Sequence, residues 1–496
     1  MSVNVRVRLQ RSSGPWILLA AALAAAAARA PAIAALVVAG ATAVAVGRWP
    51  EVALEIAAFA VLAVRPSLDA FGGRRFDVSE FAPNPAVVFG LGILWVAVVM
   101  TVVRARSGRP VWPSRKLLRA HLWLFAAYGI AFVSGARLYG ASGAATGARE
   151  LVRVASIVAA FLIVLWWVEA DAGRYWRGWA YLVVGMLIPV GTAVWQWATG
   201  EGSYATEGLN RLQGTFSHSN SLGTYLVPFI LFAVGGLLTS TGMRRLVRIA
   251  YAMGLTVLVA LTYSRTALLV LLTGLAVLPL LHSRRFGWTG LLRGVAVVVV
   301  MAALGWWLAG GIFGERFVHL SLGPAAWEAA RAGASESSFT WRLINWGGLI
   351  ALGLAHPITG HGAGMTMVLN PLVSPTNGLP FNAHNDFVRF FFEGGMLGLA
   401  CYVIYGMLLC RWVLAQARGG SLGRAASAYA VAAAWIAMFF LTGGTPELSI
   451  QTAGQYELYG MAGLLLAPEP AGAEPAMRPE HEVTRAQGPD RMAGLP

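Results

Sequence analysis

The chain has 496 residues, of which 57% are hydrophobic and only 12% charged. A soluble domain carries about a quarter charged residues, so this composition excludes a water-soluble globular protein. The net charge of +15 would otherwise suit a nucleic-acid binder. Most of the excess arginine falls in short connections between apolar runs, where positive-inside orientation and anionic lipid headgroups account for it.

Taken in chain order, the apolar runs predict spans at Trp16–Ala28, Ala32–Val46, Val52–Val64, Ala86–Val103, Leu117–Val133, Leu151–Val168, Trp179–Trp197, Ser221–Leu238, Val247–Tyr263, Thr266–Leu281, Leu291–Ala309, Gly395–Val413, Ala426–Leu441 and Gly454–Leu466. The first follows Arg6, Arg8 and Arg11 but lacks a convincing cleavage site, so it reads as a helix and not a removable signal. Several early runs fall short of the ~20 residues a span needs, and tilt or flanking residues must extend them. The expectation is an all-α polytopic membrane protein of about 12–14 helices, an even number preferred. Cys401 and Cys410 lie nine residues apart in one apolar run and read as core residues.

Threading the spans by charge places the N-terminus inside. The cytoplasmic connections then hold Arg104, Arg106, Arg109, Arg115, Lys116 and Arg119, next Arg174 and Arg177, then Arg244, Arg245 and Arg248, then Arg284, Arg285 and Arg293, and last Arg411, Arg418 and Arg424. In the outer loop Arg65–Pro85, Asp69, Asp77 and Glu80 offset three arginines. Also external are Ala198–His218, the tight turn at Ser264–Arg265 and the long segment Gly311–Asp386. That segment far exceeds ordinary connections, which run under about 15 residues. Within it Thr340–Ala355 is apolar enough for a helix but short for a span, and reads as an interfacial helix on the outer leaflet. Three regions follow: N-terminal transmembrane helices over 1–210, a second region over 211–466 with the external loop 311–386, and a disordered cytoplasmic tail over 467–496.

Four residues at the outer face carry the chemical signal. Arg211 stands in the run Asn210–Asn220, just before a span, where a guanidinium can bind phosphate bidentately and Asn220 marks a helix start. A snorkelling boundary arginine is the bland alternative. Arg265 sits between two apolar runs with almost no loop, on the face opposite the basic connections. Such a charge needs a partner or a ligand, although capping of helix-end carbonyls would also serve. Arg342 begins the interfacial helix, with Trp346 one turn on, where a cation–π pair or a phosphate or sugar contact is available. His384, followed by Asn385, can act as a base or hydrogen-bond donor near neutral pH. Asp386, Arg389 and Glu393 share one helical side, so Glu393 can simply pair with Arg389. His218 and His361 are boundary histidines with weaker claims.

Neither an Asp-x-Asp pair, a Walker loop nor a His-Glu-x-x-His motif occurs. A divalent-metal nucleotide-sugar transferase or an ATPase is therefore not expected, nor is a metal site or any other cofactor. The residue set fits metal-free handling of a diphosphate, with arginines neutralising a leaving group while an imidazole or carboxylate assists an incoming hydroxyl.

The segments Arg211–Asn220, Ser264-Arg265-Thr266, Arg342–Trp346 with Pro357 and Gly360–Gly362, and His384-Asn385 followed by Glu393–Gly395 together resemble the O-antigen ligase and polymerase superfamily of bacterial surface-polysaccharide enzymes. The resemblance covers the second half of the chain. It implies a GT-C-like membrane glycosyltransferase of the bacterial inner membrane, with its active face periplasmic or extracellular. The donor would be a glycan on undecaprenyl diphosphate, transferred to a glycan or lipid acceptor. Carried over, Arg211 and Arg265 would hold the diphosphate, with Arg342 a third cation, and His384 would orient or activate the acceptor. Asn220, Trp346, Asn385 and Glu393 would contribute substrate contacts. Ligase and polymerase share these residues, so the acceptor is open. A transporter or flippase of lipid-linked oligosaccharide is the rival; it would show broken helices and charges at the bilayer midplane.

Overall fold

The computed structural model describes residues 31–71, 85–200, 204–206, 209–318, 328, 338–373, 380–419, 421–441 and 452–467. The predicted span Trp16–Ala28 and the tail after Ala467 lie outside them. Helices are α1 (Pro31–Arg48), α2 (Pro50–Phe59), α3 (Pro85–Arg106), α4 (Arg115–Val168), α5 (Arg174–Thr199), α6 (Ser219–Gly235), α7 (Gly242–Leu261), α8 (Arg265–Val318), α9 (Ser338–Gly353), α10 (Thr366–Leu369), α11 (Asp386–Gly419), α12 (Leu422–Leu441) and α13 (Thr452–Leu464). Between α5 and α6 a two-stranded antiparallel hairpin, β1 (Tyr204–Thr206) and β2 (Leu209–Arg211), pairs Tyr204 with Arg211. The chain is thus an all-α multi-pass membrane protein with this small hairpin as an addition. Six of the described helices are long and apolar enough to cross a membrane: Pro85–Arg106, Arg115–Val168, Arg174–Thr199, Arg265–Ser283, Asp386–Arg418 and Leu422–Leu441.

The described helices match the predicted runs closely, with differences at three glycines. Gly140, Gly287 and Gly395 adopt positive φ of 59°, 63° and 62° inside what would otherwise be continuous helices. At Gly140 the chain doubles back. A Cβ on Gly143 would strike the Gly135 carbonyl, and one on Gly147 would strike the Phe132 ring, so the two arms of α4 meet backbone to backbone. The connection read between Val133 and Leu151 is therefore helix up to a one-residue turn, because small residues let the arms close without a loop. The helix α8 likewise continues to Val318, shortening the predicted loop from Gly311.

The helix α11 begins nine residues ahead of the predicted span at Gly395. Its first arm, Asp386–Gly394, folds back along the second: the Phe390 ring stacks on Tyr402 at 3.9 Å, and Tyr402 Oη donates to Asp386 Oδ2 at 3.1 Å. The backbone groups freed at this break are taken up by the segment 357–362. His361 N and Gly362 N donate to the Phe392 and Glu393 carbonyls at 2.8 Å, while Met396 N and Leu397 N donate to the Pro357 and Ile358 carbonyls. Ser134 Oγ donates to the Gly360 carbonyl at 2.5 Å, and Ala363 N to the Ala131 carbonyl at 3.2 Å, joining this strap to α4. Non-helical backbone at membrane depth is tolerated where protein satisfies it in this way.

The core runs through the second arm of α4, where Ile157 to Val168 are all buried, as expected of a helix surrounded by others. The alanine-rich α12 packs against α6, α8 and α11. Its small side chains allow the close backbone approach that membrane bundles use.

Candidate functional site

Arg211, at the end of β2, is held by two neighbours. Its Nε donates to the Thr262 carbonyl and its Nη2 to Asn220 Oδ1, both at 3.0 Å. The run after it is fixed by Gln196 of α5, whose Oε1 accepts from Gln213 N and Gly214 N, while its Nε2 donates to the Gly214 carbonyl. Gly214 has φ 58° and lies against the Pro189 carbonyl, a place no side chain fits.

Three helices begin at this end of the bundle. His218 caps α6, its Nδ1 accepting from Asn220 N at 3.1 Å. Ser264 caps α8, its Oγ accepting from Ala267 N at 3.2 Å, directly before Arg265. Asn385 caps the first arm of α11, its Oδ1 accepting from Val388 N at 3.0 Å. The turn between α7 and α8 closes in three residues because Tyr263 takes a positive φ of 48°. Helix N-termini present backbone N–H groups and a positive dipole end, which favours anions.

Arg342, on α9, comes up against Arg211 and Arg265. Burial first, then these two guanidiniums, push its pKa down to about 10. Its Nε is buried and donates to no acceptor among the described residues. His384 sits beside Arg342 and His218; burial first, then these two groups, push its imidazole down to about 3. His218 is pushed down to about 4 by burial, then by Arg211 and Arg342. Five basic groups from four chain segments thus share one electrostatic neighbourhood. With pKa values this low, both imidazoles are neutral at pH 7.

His384 has a positive φ of 52°, a strained position for a residue with a Cβ. The surrounding loop is clamped by α9. Asn345 Nδ2 donates to the Asn382 carbonyl at 2.8 Å, and Trp346 Nε1 donates to the Ala383 carbonyl at 2.8 Å. Asn370 Nδ2 in turn donates to Asn345 Oδ1 and the Phe381 carbonyl, both at 2.7 Å. Trp341 presents its ring edge-on to His384 at 5.4 Å.

The structure therefore gathers Arg211, Arg265, Arg342, His384, Asn220 and Asn385, as read from the sequence, and adds His218. Trp346 and Glu393 are engaged elsewhere. Trp346 holds the Ala383 backbone, and Trp341, not Trp346, faces the histidine. Glu393 Oε1 accepts from Arg389 Nε at 3.1 Å and from Thr366 Oγ1 at 2.7 Å. Arg389 also reaches Glu150 of α4 at 2.7 Å, and Arg153 meets the same carboxylate. This buried network lashes the first arm of α11 to α4, extending the Arg389–Glu393 pairing anticipated from their spacing. Gln196, Asn345 and Asn370 were not singled out in the sequence; an uncharged amide in an apolar run is the signal each carried. His361 is structural, bonded to Tyr139 Oη and the Leu352 carbonyl. Among the described residues no group of three His, Cys, Asp or Glu is arranged to hold a metal ion.

Fold and site together define a multi-pass membrane protein with a cluster of basic groups at one end of its helices. Residues 249–403 match the family model described as O-antigen ligase, a stretch that carries Arg265, Arg342 and His384. The resemblance to the O-antigen ligase and polymerase superfamily is borne out over that region. No curated protein matches the chain.

Proposed function

We propose that the protein transfers a glycan from undecaprenyl diphosphate to an acceptor hydroxyl at the outer face of the inner membrane, as an O-antigen ligase or a repeat-unit polymerase, without metal or nucleotide. The observation that carries this reading is the gathering of Arg211, Arg265 and Arg342, with a buried Arg342 Nε that donates to no acceptor among the described residues. Like charges crowded out of water are costly, and an anion of two or three charges offsets them.

In the reaction the acceptor oxygen forms a bond to the anomeric carbon as the bond to the diphosphate oxygen breaks. A single in-line displacement inverts that carbon. The leaving diphosphate keeps the electron pair, and the arginines and helix N-termini stabilise its growing charge. His384 is neutral in the free protein and accepts a hydrogen bond from the hydroxyl. Once the diphosphate offsets Arg342, the imidazole binds a proton more readily and can take the one the hydroxyl loses. Asn385 holds the start of the first arm of α11, and Asn220 holds Arg211 beside the start of α6.

Arg265→Ala is expected to lower transfer by about 10²–10³-fold, the scale of losing one donor to a developing oxyanion. Near-normal transfer by this variant, measured with lipid-linked glycan in membranes, would sink the assignment. In a host carrying His384→Ala, accumulation of long undecaprenyl-linked polymer identifies a ligase, and accumulation of single repeat units identifies a polymerase.

The flippase alternative gains one observation, since the helices broken at Gly140 and Gly395 are of a kind transporters use. The break at Gly395 is, however, sewn to the strap 357–362 by four backbone hydrogen bonds. A fixed break supports a standing site better than a moving gate.

A further inference from the structure

A second site lies away from the arginine cluster. An open groove of about 600 Å³ runs along the first arm of α4, between it and the strap that grips α11. Its lining includes Ala126, Gly129, Val133 and Leu397 together with Arg137 and His356. Among the described residues the lining holds no carboxylate. Val133 is 64% and Leu397 48% exposed, so the groove opens onto the surface that faces the membrane.

Three features say what fits. Eleven residues separate Ala126 from Arg137, which at 1.5 Å per residue is about 16 Å, or one leaflet of a hydrocarbon core ~30 Å thick. One guanidinium and one imidazole in the same lining match a singly charged phosphodiester, whereas three guanidiniums share the cluster. The two sites are also separate: His356 follows the C-terminus of α9, so it lies roughly 20 Å, a helix length, from Arg342 near the N-terminus.

We propose that this groove binds an anionic glycerophospholipid of the surrounding membrane, one acyl chain lying along Ala126–Val133 and the phosphodiester against Arg137. The lipid then packs between the α4 hairpin and the strap that closes the broken helix. Its occupancy stabilises that junction, because a ligand bound only to the folded state raises its stability.

The test uses the purified full-length protein in mild detergent, with phosphatidylglycerol or phosphatidylcholine added, read by native mass spectrometry and by thermal unfolding. Wild type should retain phosphatidylglycerol at least five-fold better than phosphatidylcholine and show a saturable rise in Tm with the former. Arg137→Gln should lose that preference. Gly129→Leu should lose retention of both lipids, since a side chain there enters open space, with nothing within 4 Å of a Cβ. Equal retention of the two lipids by wild type, or undiminished phosphatidylglycerol binding in Arg137→Gln, would overturn the proposal. So would preferential retention of undecaprenyl phosphate, which would make the groove part of a carrier-lipid path. The wild-type comparison decides the matter even if either variant fails to fold.

Discussion

At the scale of single residues, the site works by crowding. Arg342 is held among two other guanidiniums, and His384 and His218 are buried beside it, so protonating either imidazole adds charge where charge is already in excess. Their folded pKa values, about 3 and about 4, lie below the ordinary histidine value of ~6.5. The native state therefore binds fewer protons than the unfolded state between these limits, and stability rises with pH across that window. Acidification from pH 7 should begin to destabilise the ligand-free protein near pH 6.5, with the loss growing towards pH 3. Thermal unfolding of wild type at pH 7.5 and pH 5 should show this, and a His218→Gln/His384→Gln double variant should show less of it. The same depression means that kcat/KM should have no limb near pH 6.5 from these groups; such a limb would mean that one of them titrates as an exposed histidine. Charge was legible in the sequence at this scale because a membrane chain places so few cations on the outer side. Contact was not. Trp346 and Trp341 are indistinguishable by spacing alone, and only the arrival of the loop 382–384, from beyond the intervening helix α10, decides that one clamps backbone and the other faces His384.

At the scale of elements, hydropathy located the helices because a span must be apolar over its length, whatever it packs against. What hydropathy could not show is how a helix reverses on one residue. The α4 hairpin reads in sequence as two spans and a loop, since glycine lowers hydropathy whether it sits in a coil or between touching helices. Glu393 shows the same limit, because its partner Arg389 is one turn away while Glu150 is far off in sequence. Gly395 is the most exacting of these positions. Its φ of 62° disfavours a side chain, and a Cβ there would lie 2.2 Å from the Ile358 backbone. Gly395→Ala should therefore cost about 2–4 kcal/mol, from backbone strain and displacement of the strap. A clear fall in Tm of the purified variant would be the readout. A wild-type melting curve would mean that the strap can shift and that the break is not held as described.

At the scale of the whole molecule, the helices sort charge by end. In α7, Arg244, Arg245 and Arg248 occupy the first turns, and the Thr262–Ser264 turn that supports Arg211 and Arg265 follows its last. The helix is twenty residues long, about 30 Å, which matches the hydrocarbon thickness of a bilayer. A cysteine introduced at Arg245 and one at His384, each in a background lacking Cys401 and Cys410, should therefore react with a membrane-impermeant thiol reagent from opposite sides of sealed cells. Labelling of His384→Cys from both sides would revive alternating access and count against a standing outer site.

The two tryptophans and Asn345 of α9, the last paired with Asn370, have a consequence for how the site comes into being. Arg211 and Arg265 are tied together through Thr262 and Asn220, whereas Arg342 and His384 are tied together through α9 and its grip on residues 382 and 383. Each half is thus held together on its own stretch of chain, and the proposed reaction centre is the seam between them. On the proposed reaction, a change of acceptor would fall on side chains around His384 other than Arg342 and the clamp residues Asn345, Trp346 and Asn370, while the half that holds Arg211 and Arg265 stays unchanged. A lineage could in this way exchange acceptors without relearning how to break the donor.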